Sequence, residues 1–178
     1  MPLPVAHGLF GSTVLHLFGT VKPTGSNTRE LLLGALLGIA PDLDYLLNYV
    51  PGLGGGWHHG FTHSIVFACM VGSLISLCIY KPSWRAAMAY SLAIISHPLL
   101  DYFFTESFGV ELLWPFSTKR FKLMIPNPID YNWRNSSVSA TIFDLIRISL
   151  IELMFFGFLF GLVHWLKNRR TVPASTID

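Results

Sequence analysis

The stretch Trp84–Phe104, WRAAMAYSLAIISHPLLDYFF, decides how this chain is read: a run long enough and apolar enough to cross a bilayer carries His97 and Asp101 close to its end. A hydrocarbon core of about 30 Å takes about 20 helical residues to cross. Ionisable groups beside such sequence are costly, so their default meaning is functional, with partners nearby. Four apart on a helix, His97 and Asp101 project from one face and can hold one ion. The same pair, hydrogen-bonded to each other, would also satisfy two buried polar groups without any metal.

Working outward, four more apolar segments appear: Val5 to Thr20, Leu31 to Tyr49 broken by Pro41, Ser64 to Tyr80, and Ile142 to Leu166. The fold class expected is all-α, a polytopic helical integral membrane protein with about five such segments. The first two are short or interrupted, and Pro41 should end a helix near Ala40. Gly34, Ala35 and Gly38 form a small-residue stripe that allows close helix approach. A long loop rich in proline and aromatics, with LLWPFS at 112–117 and Pro126, Pro128, Tyr131 and Trp133, suits the headgroup layer before the last helix. It reads either as a lid or platform over a site, or as interfacial anchoring. Residues 1–170 are expected to form a single helical membrane domain and 171–178 a flexible polar tail.

Composition agrees with lipid as the solvent. Of 178 residues, 52% are hydrophobic and only 12% charged, with a mean hydropathy of +0.51, whereas soluble domains carry about 25% charged residues. A net charge of +2 without a basic, aromatic-interleaved run excludes a nucleic-acid partner. Cys69 and Cys78, nine apart on one expected helix, are too distant to bridge and read as small apolar residues. The first segment lacks a basic leader and carries His7, so it reads as mature structure. Lys22 and Arg29, Lys81 and Arg85, and Lys167, Arg169 and Arg170 fall on one side if all five segments cross. Positive-inside statistics make that side cytoplasmic, although Lys119, Arg120, Lys122 and Arg134 in the long opposite loop count against it. On this arrangement the polar candidates converge at the outer face.

Those candidates are Asp42 and Asp44 in PDLD, the three histidines of GWHHGFTHS, and His97 with Asp101. Histidine nitrogen and carboxylate oxygen are the ligand atoms of zinc and similar divalent ions. Asp42 and Asp44 are close enough to repel, which raises a pKa unless a cation neutralises them. One of them could instead cap a helix, but not both. His59 and His63 share a four-residue spacing, while His58 faces away from His63 unless the chain breaks near Gly60. Thr62 is an orienter of His63 or a nucleophile, the former fitting the usual need of a ligating histidine for a hydrogen-bond partner. His16 and His164 read as structural, and Glu152 as compensating Arg147. Glu106 and Glu111 show no partner pattern.

Taken together, His7 before a glycine-rich apolar helix, PDLD at 41–44, H-x-G-F-T-H-S at 58–64, S-H-x-x-L-D at 96–101 and LLWPFS resemble the YdjM-type family of membrane-bound metal-dependent hydrolases. The resemblance runs from His7 to about Ser117 and does not reach the last helix. It implies His7, Asp42, Asp44, His58, His63, His97 and Asp101 as metal-site residues, and location in a prokaryotic inner membrane. One departure stands out: the family writes His-Arg-Gly where this chain has His58-His59-Gly60. Arginine there would clamp an anion bidentately, and histidine is weaker and pH-dependent in that role. More distantly, the motif set is similar to the zinc-dependent phospholipase C and single-strand nuclease group, which suggests phosphoester hydrolysis of a lipid or lipid-linked substrate.

The activity expected is therefore metal-dependent hydrolysis by an ion-activated water, with zinc as the ion that suits the set and room for two or more. Asp44, His59 and Thr62 are the candidates for catalysis, His59 by binding an anionic group or shuttling a proton. The alternative is a non-enzymatic metal-binding, transport or sensor protein using the same ligands.

Overall fold

The computed structural model describes residues 2–19, 27–79, 83–104, 108–123, 125 and 137–169. Five α-helices carry the fold: α1 (Pro4–Phe18), α2 (Asn27–Ile39), α3 (Ile65–Ile79), α4 (Trp84–Phe104) and α5 (Val138–Arg169). A 3-10 segment, Ala40–Tyr49, continues from α2, and a short 3-10 turn, Phe61–His63, leads into α3. Among the described residues the only strand-like feature is an isolated antiparallel bridge between Val110 and Phe121. Lys22, Lys81, Glu106, Arg134, Arg170, the aromatics and prolines at 126–133 and the tail 171–178 lie outside the described residues.

Local chemistry explains the boundaries. Pro4 sits in the first turn of α1, where its missing N–H costs nothing. Pro41 follows the end of α2, and the chain tightens there into 3-10 geometry. Helix α5 starts at Val138, four residues before the apolar run, because the Ser137 hydroxyl accepts the Ala140 N–H at 3.3 Å. Pro98 lies inside α4 and removes one helical donor next to His97.

The packing is that of a protein solvated by lipid. Large apolar side chains face outward, among them Met70, Leu74 and Leu77 on α3 and Met154, Phe155 and Phe158 on α5, while Ser12, Ser91, Ser96, Ala86, Ala89 and Ala93 are buried. Where lipid removes the hydrophobic drive between helices, small residues permit close van der Waals contact. A Cβ on Gly11 would lie 2.5 Å from the Gly34 carbonyl oxygen, and one on Gly34 would lie 2.5 Å from Ser12 Cα. A Cβ on Gly38 would strike the His7 carbonyl oxygen. The glycine stripe read from the sequence is thus the seam where α2 crosses α1, antiparallel to it.

Length and hydropathy together separate α5 from the rest: α4, at 21 residues, is long enough to cross a membrane but, contrary to the expectation from its sequence, not apolar enough. Helix α5 is the one described helix both long and apolar enough to cross a membrane, with a mean hydropathy of 2.0 over its best window; Ile65–Cys78 in α3 is a shorter apolar helix. Helices α1, α2 and α3, at 15, 13 and 15 residues, rise only about 20–23 Å. Helix α5 packs on α1 alone among the helices and runs parallel to it. Near the start of α1, Glu152 accepts the N–H groups of Leu3 (2.7 Å) and Ala6 (3.2 Å). Near its end, His164 approaches His16. Glu152 is therefore the missing cap of α1, which has no side-chain cap of its own. The expected compensation between Glu152 and Arg147 is not what forms, since Arg147 pairs with Asp144 at 3.1 Å, one helical turn back on the exposed face.

Candidate metal centre

The start of α1, the end of α2, the start of α3 and the C-terminal part of α4 meet at one end of the bundle, and every sequence-predicted ligand lies there. His7, His63, His97 and Asp101 are each 0% exposed, and Asp44 is 3%. Four atoms converge: His97 Nε2 lies 3.1 Å from Asp42 Oδ1 and 3.2 Å from Asp101 Oδ2, and His63 Nε2 lies 3.7 and 3.6 Å from the same two oxygens. Around an ion with bonds of about 2.0–2.1 Å, tetrahedral donors stand about 3.3 Å apart. Asp42, His63, His97 and Asp101 thus have the spacing of a four-donor shell.

The bonding behind these atoms fixes which way they point. His97 Nδ1 lies 2.7 Å from the carbonyl oxygen of Gly38, which can only accept, so Nδ1 carries the proton and the Nε2 lone pair is aimed into the cluster. His63 Nδ1 lies 3.0 Å from Thr62 Oγ1 and 3.3 Å from Asp44 Oδ2. The Thr62 hydroxyl in turn donates to Asp44 Oδ2 at 2.5 Å. Thr62 therefore orients His63, the reading favoured from the sequence. Asp44 sits on the outer side of His63 and also meets His58 Nδ1 at 3.0 Å. In this arrangement it braces two histidines.

Asp42 Oδ1, His63 Nε2, His97 Nε2, both oxygens of Asp101 and both ring nitrogens of His7 are buried without a hydrogen-bond partner. Buried polar atoms in folded proteins are otherwise satisfied, and this concentration of orphaned donor atoms could hold a divalent cation. His7 stacks on His97 with ring centroids 3.8 Å apart, and its Nε2 is 3.7 Å from Asp101 Oδ1. Asp101 therefore presents one oxygen to His7 and the other to His63, His97 and, at 3.6 Å, His59.

The HHG stretch resolves a choice left open by spacing. His59 has φ +64°, a left-handed conformation that histidine tolerates better than most residues, and the turn it makes carries both His58 and His59 to the cluster. His58, His59 and His63 form a second group of donors within one ion's reach. Electrostatics divide them. Burial and then the neighbouring His58 and His63 outweigh Asp101 and Asp42, lowering His59 to about 4. Burial also opposes charge on His63, but the carboxylates of Asp101, Asp42 and Asp44 around it raise it to about 10.

The segment 108–123 straps this end. Glu111 N–H donates to the His59 carbonyl at 3.0 Å, Ile65 N–H to Leu112, and Leu123 N–H to Tyr102 beyond Asp101. Glu111, for which the sequence suggested no partner, accepts from Arg120 Nε at 3.1 Å. At the opposite end His16 Nδ1 lies 3.2 Å from Glu30 Oε2 and His16 Nε2 lies 3.4 Å from His164 Nδ1; these histidines join α1, α2 and α5.

Residues 1–171 match the sequence profile of the YdjM inner membrane protein family. The chain belongs to that family. The match passes beyond Ser117 through the whole of the last helix, further than the motifs themselves reach. Inner membrane protein YbcI of Escherichia coli (strain K12) is 38% identical over 101 residues, covering 52% of this chain and 57% of that protein. The chain thus spans little more than half the length of that relative. No solved structure matches. Membership in the YdjM family of inner membrane proteins agrees with the outward apolar surface and inward small residues.

Proposed function

We propose that this protein is a membrane-bound metal-dependent hydrolase acting on a phosphoester or lipid-linked substrate, with zinc at the His/Asp cluster. The observation that carries the reading is the set of orphaned, fully buried donor atoms on Asp42, His63, His97 and Asp101. Asp42, His63, His97 and Asp101 would hold one ion; His58 and His59, grouped with His63, supply donors for another, and His7 meets the second oxygen of Asp101. When bound, such ions would supply Lewis acidity and lower the pKa of a bound water toward about 7. The remaining chemistry belongs to the chain. Asp44 and Thr62 keep His63 in one orientation, Gly38 does the same for His97, and neutral His59 is in the protonation state to accept a proton at pH 7. The distant similarity to zinc-dependent phospholipases C and nucleases supports phosphorus as the centre attacked.

The parallel run of α1 and α5, and the antiparallel pairing of α1 with α2, support a polytopic arrangement of five segments with the cluster toward the outer face. Arg29, Arg85, Lys167 and Arg169 then lie at the cytoplasmic end. The test is elemental analysis of the purified protein followed by hydrolysis of a panel of phosphomonoesters and phosphodiesters with and without zinc. Protein without divalent metal, or hydrolysis indifferent to its removal, would sink the reading.

A second reading, metal translocation, is favoured by one observation: buried His7, Ser12 and His16 follow one another along α1 to Glu30 and His164 at the other end. Zinc uptake into protein-loaded vesicles that disappears in His16→Ala while hydrolysis is absent would put this reading first.

A further inference from the structure

Helix α1 brings one imidazole to the metal centre, His7, and neither of its ring nitrogens has a hydrogen-bond partner. Three neighbouring imidazoles are steered through theirs: His97 Nδ1 by the Gly38 carbonyl, His63 Nδ1 by Thr62, and His58 Nδ1 by Asp44. His7 is fixed instead by its stack on His97, with centroids 3.8 Å apart, and by its own main chain. Its Nε2 stands 3.7 Å from Asp101 Oδ1. Whatever sets the first turn of α1 therefore sets this histidine.

That turn is held from another helix. Glu152 of α5 accepts the Leu3 N–H with one oxygen at 2.7 Å and the Ala6 N–H with the other at 3.2 Å, and Ala6 directly precedes His7. The amides of a first helical turn have no partner within their own helix, and helix ends otherwise open at little cost. A serine or asparagine at the N-cap would supply an acceptor locally, yet the N-cap is Leu3, which gives none. A carboxylate on an apolar helix is the expensive choice. What it adds is a tie between α5 and α1. At the far end of α1, Lys167 Nζ donates to the His16 carbonyl oxygen, and His164 Nδ1 lies 3.4 Å from His16 Nε2. Helix α5 thus grips α1 at both ends and resists its sliding along its own axis, the motion that would draw His7 off His97 and Asp101. Binding constellations tolerate about 0.5 Å of misplacement.

We propose that Glu152 is a positioning residue of the metal centre: through the Leu3 and Ala6 amides it sets the first turn of α1 so that His7 lies on His97 and faces Asp101. The inference rests on the metal reading above and goes beyond capping, since α5, which brings no donor, becomes part of the site. Ion binding is then sensitive to a residue whose bonds are to main-chain amides of a different helix.

The experiment is a double-mutant cycle on the full chain in neutral detergent, with zinc affinity read by chelator competition and stability by thermal unfolding. Glu152→Leu should weaken zinc binding by about tenfold in the wild-type background, the low end of what losing a ligand's support costs. It should change affinity little in His7→Ala, where nothing is left to position. The unfolding midpoint should fall equally in both backgrounds, because the cap is lost in each; a merely structural role would move stability without coupling to His7. Glu152→Gln, which keeps one acceptor, should fall between wild type and Glu152→Leu, and it carries the same cycle if Glu152→Leu does not fold. In the cobalt(II)-loaded protein, the visible spectrum of Glu152→Leu should move toward that of His7→Ala. Zinc affinity unchanged in Glu152→Leu, or reduced by the same factor in both backgrounds, would overturn the proposal. A wild-type protein that binds no divalent metal removes the metal reading, and the positioning is then read from imidazole NMR alone: Glu152→Leu should shift the His7 resonances more than those of His16, and unshifted His7 resonances would overturn it.

Discussion

Adding one methyl group at Gly38 should damage the metal centre from a position that donates no ligand. A Cβ there meets the His7 carbonyl oxygen and comes to 3.1 Å from Gly11 Cα, so α1 and α2 must separate. Overpacking of this kind costs about 1–3 kcal/mol. Gly34→Ala serves as the control, because its Cβ would lie 2.5 Å from Ser12 Cα, a clash of the same kind one turn further from the cluster. Both variants should lose similar thermal stability in detergent. Only Gly38→Ala displaces the carbonyl that holds His97 Nδ1 at 2.7 Å, and loss of such a support costs about 10–100-fold in metal affinity. Chelator competition for zinc, run beside thermal unfolding, measures the two effects separately. The reasoning is refuted if Gly34→Ala weakens zinc binding as much as Gly38→Ala, or if Gly38→Ala binds zinc like the wild type.

Other expectations follow from the same geometry. Asp101→Ala should abolish binding of at least one ion, whereas Asp44→Asn should keep the ion count and lower affinity about 10–100-fold, as loss of a bracing carboxylate does; metal content after dialysis against weak chelator distinguishes them. Metal-free His63, with its pKa raised to about 10, is protonated at pH 7.5 and must release that proton on ligation. Zinc affinity should therefore rise with pH, and calorimetry in buffers of different ionisation enthalpy should show the release. Because the pKa in the fold is raised, this group's contribution to the stability of the metal-free protein is complete below about 6.5 and fades as pH climbs toward 10. Unfolding midpoints of the chelator-treated protein should fall across that range. Glu152→Leu strips acceptors from two N–H groups of α1, and charge-assisted bonds of this kind are worth about 1.5–3 kcal/mol each; an unfolding midpoint equal to wild type would refute the capping role.

What the sequence disclosed depended on how local the determinant was. His97 and Asp101 were legible because helical spacing alone places them on one face, and the end of α2 because Pro41 forbids continuation. The glycine stripe announced a close crossing but not its partner. His58 and His59 could not be ranked, since their directions hang on a left-handed turn that spacing does not encode. Glu152 was misjudged because its partners, the N–H groups of Leu3 and Ala6, are brought to it only when α5 docks on α1. Asp44 illustrates a finer limit: residue type and position marked it for the site, yet which face of His63 it meets is a tertiary fact.

The donors enter from His7, Asp42, His63, His97 and Asp101, so the four-donor group of Asp42, His63, His97 and Asp101 is complete only with the last turns of α4. During synthesis His7 must wait, unligated, until the last turns of α4 have been made, and no fragment ending before Asp101 could retain the ion. Helix α5 comes later still, contributing no donor but placing Glu152 on the first turn of α1. The proposed ion would thus join four helix ends, and the final helix fastens the one that was made first through Glu152.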